Sequence, residues 1–101
     1  MGDRISIQFV KGDDKSVVLF SHWGGQSFYN EAMSYVRKLK AENKENRQGW
    51  PIDRREPETV MVDFIRHITQ GMDRVKHDYY LGVDESDGDN SDNGHFIINL
   101  E

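Results

Sequence analysis

A chain of 101 residues with no cysteine and a net charge of -5 rules out a good deal before any motif is read. Disulfides, thiolate nucleophiles, cysteine zinc sites and iron–sulfur ligation are removed together, and the length predicts one domain, residues 1–101, around a single core. The charge is uneven: residues 36–76 carry ten Lys/Arg against seven Asp/Glu, whereas residues 84–101 carry six acids and no Lys/Arg, which argues against nucleic acid as a partner.

The opening segment, MGDRISIQF, lacks the basic region and apolar run of a signal peptide. Nowhere do 18 apolar residues run together, so no membrane span is expected. Together with the missing cysteines, this gives a cytoplasmic setting as the expectation.

Residues 4–10 alternate, with Ile5, Ile7 and Phe9 on one face of a first strand. A polar stretch containing Gly12 follows, and residues 16–21 then run almost wholly apolar, as a central strand covered on both faces does. These two segments read as an antiparallel hairpin. The strand ends in His22-Trp23-Gly24-Gly25, where two glycines permit a sharp turn or a positive φ.

Ser27 is the expected N-cap of a helix over residues 28–42, with Phe28, Ala32, Tyr35, Val36 and Leu39 at helical spacing. Residues 43–55 form a charged loop anchored by Trp50 and Ile52. Its Lys44, Arg47, Arg54 and Arg55 are interleaved with acids, so a solvated loop outweighs a phosphate site. Pro57 opens a second helix at its first position, Met61, Phe64, Ile65 and Ile68 form the apolar stripe, and Gly71 is the stop. Residues 79–83 and 95–100 read as two further strands, joined in the simplest case by a second hairpin. The expected fold is therefore α+β: a four-stranded, mainly antiparallel sheet in ββααββ order, with both helices packed on one face.

The strand running into His22-Trp23-Gly24-Gly25, then two helices and a tyrosine-bearing strand, resembles small uncharacterised proteins of prophage, bacterial and archaeal genomes. In those a strand ends in a His-Trp-Asp-Gly turn, and Gly24 stands here where they have Asp. The resemblance implies a phage or mobile-element origin, and it carries no activity.

Two clusters are candidate sites. In residues 84–94, Asp84, Asp87, Asp89 and Asp92 are hard oxygen donors of the kind calcium prefers. A calcium loop of the helix–loop–helix type needs glycine sixth and glutamate twelfth. Counting from Asp87 gives Asp92 and Ile98, and counting from Asp84 gives Asp89 and His95, so both registers fail. A solvated turn-rich loop is the plainer reading.

The second cluster is the turn His22, Trp23, Gly24 and Gly25, with Tyr80 from the third strand as a ligand or partner contact. The plainer reading there has Trp23 closing one end of the core. Ser21 and His22 are adjacent on a strand and face opposite ways, which disfavours a nucleophile pair. His67 is expected to pair with Asp63 at i,i+4, and His77 lies in a charged turn. No set of polar groups spells out a catalytic centre, and no cofactor is expected.

The favoured reading is a non-enzymatic domain acting through protein contacts, with a protein partner or a homodimer formed at an exposed sheet edge. The alternatives are a small enzyme or ligand-binding protein at the His22–Tyr80 turn, a weak cation binder through the acidic loop, and an acidic mimic of nucleic acid.

Overall fold

The computed structural model describes residues 2–45, 56–74 and 78–100, with side chains in the first segment described as far as residue 41. Trp50, Ile52, Lys44, Arg47, Arg54, Arg55 and His77 therefore lie outside the described side chains.

The strands are β1 (Ile5–Lys11), β2 (Asp14–Lys15), β3 (Val18–Ser21), β4 (Tyr79–Gly82) and β5 (His95–Asn99), and the helices are α1 (Gly25–Glu45) and α2 (Pro57–Ile68). β1 pairs antiparallel with β2 and then β3, the hairpin expected from the alternation of residues 4–10. Ser16 fills the break between β2 and β3: its amide donates to the Phe9 carbonyl (2.9 Å) and its hydroxyl accepts from the Phe9 amide (3.1 Å). β3 pairs antiparallel with β4, and β5 pairs parallel with β1. The spatial order is β5–β1–β2/β3–β4, so the fold is α+β with a mainly antiparallel sheet.

One face of the sheet carries Ile5, Ile7, Phe9, Leu19 and Ile98 into the core, where they meet Phe28, Ala32, Val36 and Leu39 of α1 and Val60, Met61 and Phe64 of α2. Both helices cover this face. Phe64 is the keystone of the layer, with ring centroids 5.7 Å from Phe9, 6.0 Å from Phe28 and 5.3 Å from Tyr35. Edge-on and tilted geometries of this kind add to simple area burial. Among the described residues no helix is long and apolar enough to cross a membrane.

Three local expectations change. Helix α1 begins at Gly25, and the Gly24 carbonyl accepts the first intrahelical bond from the Phe28 amide (3.1 Å). Ser27 therefore lies within the first turn and not at its cap. In α2, Pro57 opens the helix as expected and Val60 is fully buried, while Ile65 and Ile68 are only half-buried beside the core.

The third change is topological. β4 and β5 do not form a hairpin; they stand at opposite edges of the sheet. The register shows where their connection runs. Gly82 lies beside Val18, level with the middle of β1, and His95 lies beside Ser6 near the start of β1. Residues 83–94 therefore cross the second face of the sheet diagonally. The physical reason is burial: Val18, Phe20 and Ser6 point to that face and are fully buried, and a hairpin projecting from one edge would leave them in water. Gly88 shows how close the crossing is, because a Cβ there would lie 2.6 Å from the Tyr80 ring and 2.8 Å from the Phe20 ring.

Candidate functional site

The His22 turn and β4 do come together. Phe20 and Tyr80 are paired across β3 and β4 and stack nearly parallel, with centroids 4.9 Å apart. His22 lies 5.0 Å from the Tyr80 ring and 5.5 Å from Trp23. Trp23 does not close the core as the plainer reading had it: the side chain is 57 % exposed. The polar groups of the turn are occupied in holding its shape. Asp78 accepts from the Ser21 hydroxyl (3.0 Å) and the Trp23 amide (3.3 Å), and the Gly24 amide donates to the Ser21 hydroxyl (2.9 Å). Gly24 is required for packing, since a Cβ there would fall 2.6 Å from that of Phe28. The corner is thus an aromatic shelf of His22, Trp23 and Tyr80, and among the described residues no salt bridge joins a carboxylate to the histidine.

The four aspartates of residues 84–94 fall into two local structures. Asp84 and Asp87 form a reciprocal cap on a turn of 3-10 helix, Glu85–Asp87. Asp84 accepts from the Ser86 amide (3.1 Å) and hydroxyl, and Asp87 accepts from the amides of Val83 (2.7 Å) and Asp84 (2.9 Å). Asp89 and Asp92 instead face Arg4, with Asp89 3.2 Å from its Nε and Asp92 accepting from its backbone amide (2.9 Å). Hydrogen bonds from the Ser86 side chain and backbone hold the Asp84 carboxyl below its ordinary value, and bonds from Ser91 do the same for Asp89, with Arg4 and His22 adding charge. Among the described residues no three His, Asp or Glu side chains converge as a metal site.

Beneath the crossing lies a polar cluster that the sequence reading did not single out. Asn90 Nδ2 donates to Ser6 Oγ (2.9 Å), Ser6 Oγ is 2.7 Å from His95 Nδ1, and His95 Nε2 faces Gln8 Oε1 (3.4 Å) and Glu85 Oε2 (3.5 Å). The residue types look like a serine–histidine–acid set, but Ser6 is fully buried and its hydroxyl is already engaged. It is a latch that fastens residues 85–90 to β1 and β5. The polar alternate residues of β1, Ser6 and Gln8, were the available signal, because strand periodicity puts them on the face that the crossing covers.

A third cluster bridges the helices around a hollow of about 250 Å³. Asp63 accepts from the Tyr35 hydroxyl (2.5 Å) and from Arg66 Nε (2.9 Å). His67 pairs with Glu31 of α1 (2.9 Å) and not with Asp63, as the i,i+4 spacing predicted. Burial pushes the Asp63 carboxyl upward, but the bonds from Arg66 and Tyr35 and the charges of Arg66 and His67 outweigh it and leave the group below its ordinary value.

The most open feature is the outer side of β4. This strand pairs with β3 alone among the described strands. Between it and the C-terminal end of α2 lies a hollow of about 330 Å³ walled by Ile65, Ile68, Thr69, Tyr79 and Leu81. Leu81, one of its walls, is 55 % exposed. None of the three hollows described, the last of them over Gln8, Val17 and Ile97, is lined by His22 or Trp23.

Comparison with protein-family models, curated proteins and solved structures finds no match for this chain. What it does must be read from its own surface.

Proposed function

We propose that this domain acts by binding another protein, and that the binding place is the open edge of β4. The observation carrying this reading is the coincidence of a strand edge that has no partner among the described strands with an apolar hollow beside it. An edge strand offers a row of backbone donors and acceptors, and a neighbouring pocket receives every second side chain of an added strand. Leu81 exposes its apolar bulk at this edge, where soluble domains usually place charge or proline to discourage pairing. An enzymatic reading centred on His22 has less support, because its imidazole lies against the rings of Trp23 and Tyr80 and lines none of the hollows described above.

Selection of random peptides displayed on phage tests this proposal. Peptides retained by the wild-type protein are expected to be extended and apolar at alternate positions, and to be released when Leu81→Lys replaces it. A lysine on an exposed edge leaves folding intact. Retained peptides that bind the Leu81→Lys protein equally well contradict the proposal.

A further inference from the structure

The backbone of β4 shows which of its residues face the outer edge. One step beyond the Ser21–Tyr79 pair, the His22 amide donates to the Asp78 carbonyl (2.9 Å). Hydrogen-bonded and non-hydrogen-bonded pairs alternate along an antiparallel ladder. Tyr80 and Gly82 therefore also turn their backbone groups to β3, while those of Tyr79, Leu81 and Val83 turn outward. The Val83 amide is engaged by the Asp87 carboxylate (2.7 Å), where the chain leaves the strand for the 3-10 turn. Along β4 itself, the edge thus presents one amide and one carbonyl at Tyr79 and one of each at Leu81.

We infer, on the strength of the edge-binding reading above, that a second copy of this chain takes the β4 edge. The pairing is two-fold and antiparallel, with Tyr79 opposite the second copy's Leu81 and Tyr80 opposite its own equivalent. The edge is its own complement in this register. Tyr79 and the second copy's Leu81 exchange amide-to-carbonyl bonds, and the symmetry repeats the exchange, so each outward group of both residues is met. Centring the pair on Leu81 instead sets Tyr79 against Val83, whose amide Asp87 already holds, and leaves the Tyr79 carbonyl without a donor.

The side chains agree with the backbone. Tyr79 packs on Phe28 with centroids 5.8 Å apart, and Leu81 walls the hollow with Ile65 and Ile68, so both lie on the helix side. Side chains directly opposite share a face. The second copy's Leu81 therefore lands on Tyr79 at the mouth of the hollow and exchanges water for apolar contact. Asp78 comes opposite Gly82, so no carboxylate is set against another. Pairing over residues 78–82 engages far fewer than the roughly 20 residues a side of a stable interface. It is weak and reversible, and the dilute chain keeps its edge available to other strands. Self-pairing thus competes with any partner that binds there.

Sedimentation of the full chain at rising concentration, with disulfide trapping by single cysteines, tests this pairing. The wild type is expected to shift from monomer to dimer, and Leu81→Lys to stay monomeric. The chain has no cysteine of its own. Residue 80 meets its equivalent in a non-hydrogen-bonded pair with Cα atoms about 4.5 Å apart, within reach of a disulfide. Tyr80→Cys is therefore expected to cross-link under mild oxidation, and Leu81→Cys, set against Tyr79, is not. Because Tyr80 stacks on Phe20, a mixture of Tyr79→Cys and Leu81→Cys chains serves as the second trap, and it should give the mixed dimer in preference to either homodimer. A chain that stays monomeric up to about 1 mM, while peptides are still held through Leu81, would overturn self-pairing and leave the edge as the binding place. A dimer that Leu81→Lys leaves intact, or one trapped by Leu81→Cys alone, would also overturn it. Neither a dimer nor any peptide held through Leu81 would overturn both readings.

Discussion

Phe64 and Asp63 are neighbours on α2, and they stabilise the same helix by different physics. Phe64 is fully buried among Phe9, Phe28 and Tyr35, so Phe64→Ala is expected to cost about 3–5 kcal/mol, the range for an aromatic truncated in a core. Urea denaturation measures it, and a cost below about 1 kcal/mol would show that the layer collapses to fill the gap.

Asp63 acts through charge. Its folded pKa is depressed, so the stability it contributes is present above its unfolded pKa of about 4 and is lost as pH falls through the folded value. The stability gap between wild type and Asp63→Asn should therefore be widest near neutral pH and close in acid. A gap unchanged down to about pH 2 would contradict the assignment. Spacing within one helix suggested the wrong partner for His67 because it ignores the facing helix. Glu31 on α1 lies 2.9 Å away, while Asp63 is engaged by Tyr35 and Arg66.

At the scale of elements, the crossing of residues 83–94 decides how the second face is closed. Its latch is part-buried, and Ser6→Ala takes away the partner of His95 Nδ1 and one of the two acceptors of Asn90 Nδ2, the other being the Glu85 carbonyl (3.2 Å). An unmet buried group costs about 1–3 kcal/mol. The expected signature is faster amide exchange over residues 88–94 with little change in α1 and α2. Uniform loss of protection across the chain would mean that the crossing is not a separable element.

Hairpin and helices were legible from periodicity: Ile5, Ile7 and Phe9 alternate, and Phe28, Ala32, Val36 and Leu39 recur at helical spacing, so each stripe names its buried face. The path of the crossing was not legible, because Asp, Asn, Ser and Gly mark a turn without saying where the chain goes next. One clue lay in β3. Its residues are apolar on both faces, and two helices on one face cover only half of them. Val18 and Phe20 required a second cover, and residues 83–94 provide it.

For the whole molecule, two faces and one edge of the sheet have different fates. Helices cover the first face and the crossing covers part of the second, while β4 has no further strand on its outer edge among the described residues. The candidate turn at His22 was legible as a cluster, since Tyr80 does lie against it, but its glycines and serine were not separable from structural roles without distances. The β4 edge was hidden for another reason: a strand expected in a hairpin with β5 has no free side there. Moving β5 beyond β1 is what opens it.

The central claim is that this edge accepts a strand, and amide hydrogen exchange of residues 79–82, with and without a saturating peptide from the display selection, tests it most directly. Alternate amides of β4 point away from β3, and they are expected to exchange freely in the unbound protein. Their selective slowing on binding, with β5 unchanged, is the predicted result. Slowing confined to His22, Trp23 and their neighbours, with β4 unaffected, would contradict the claim and return the site to the aromatic shelf.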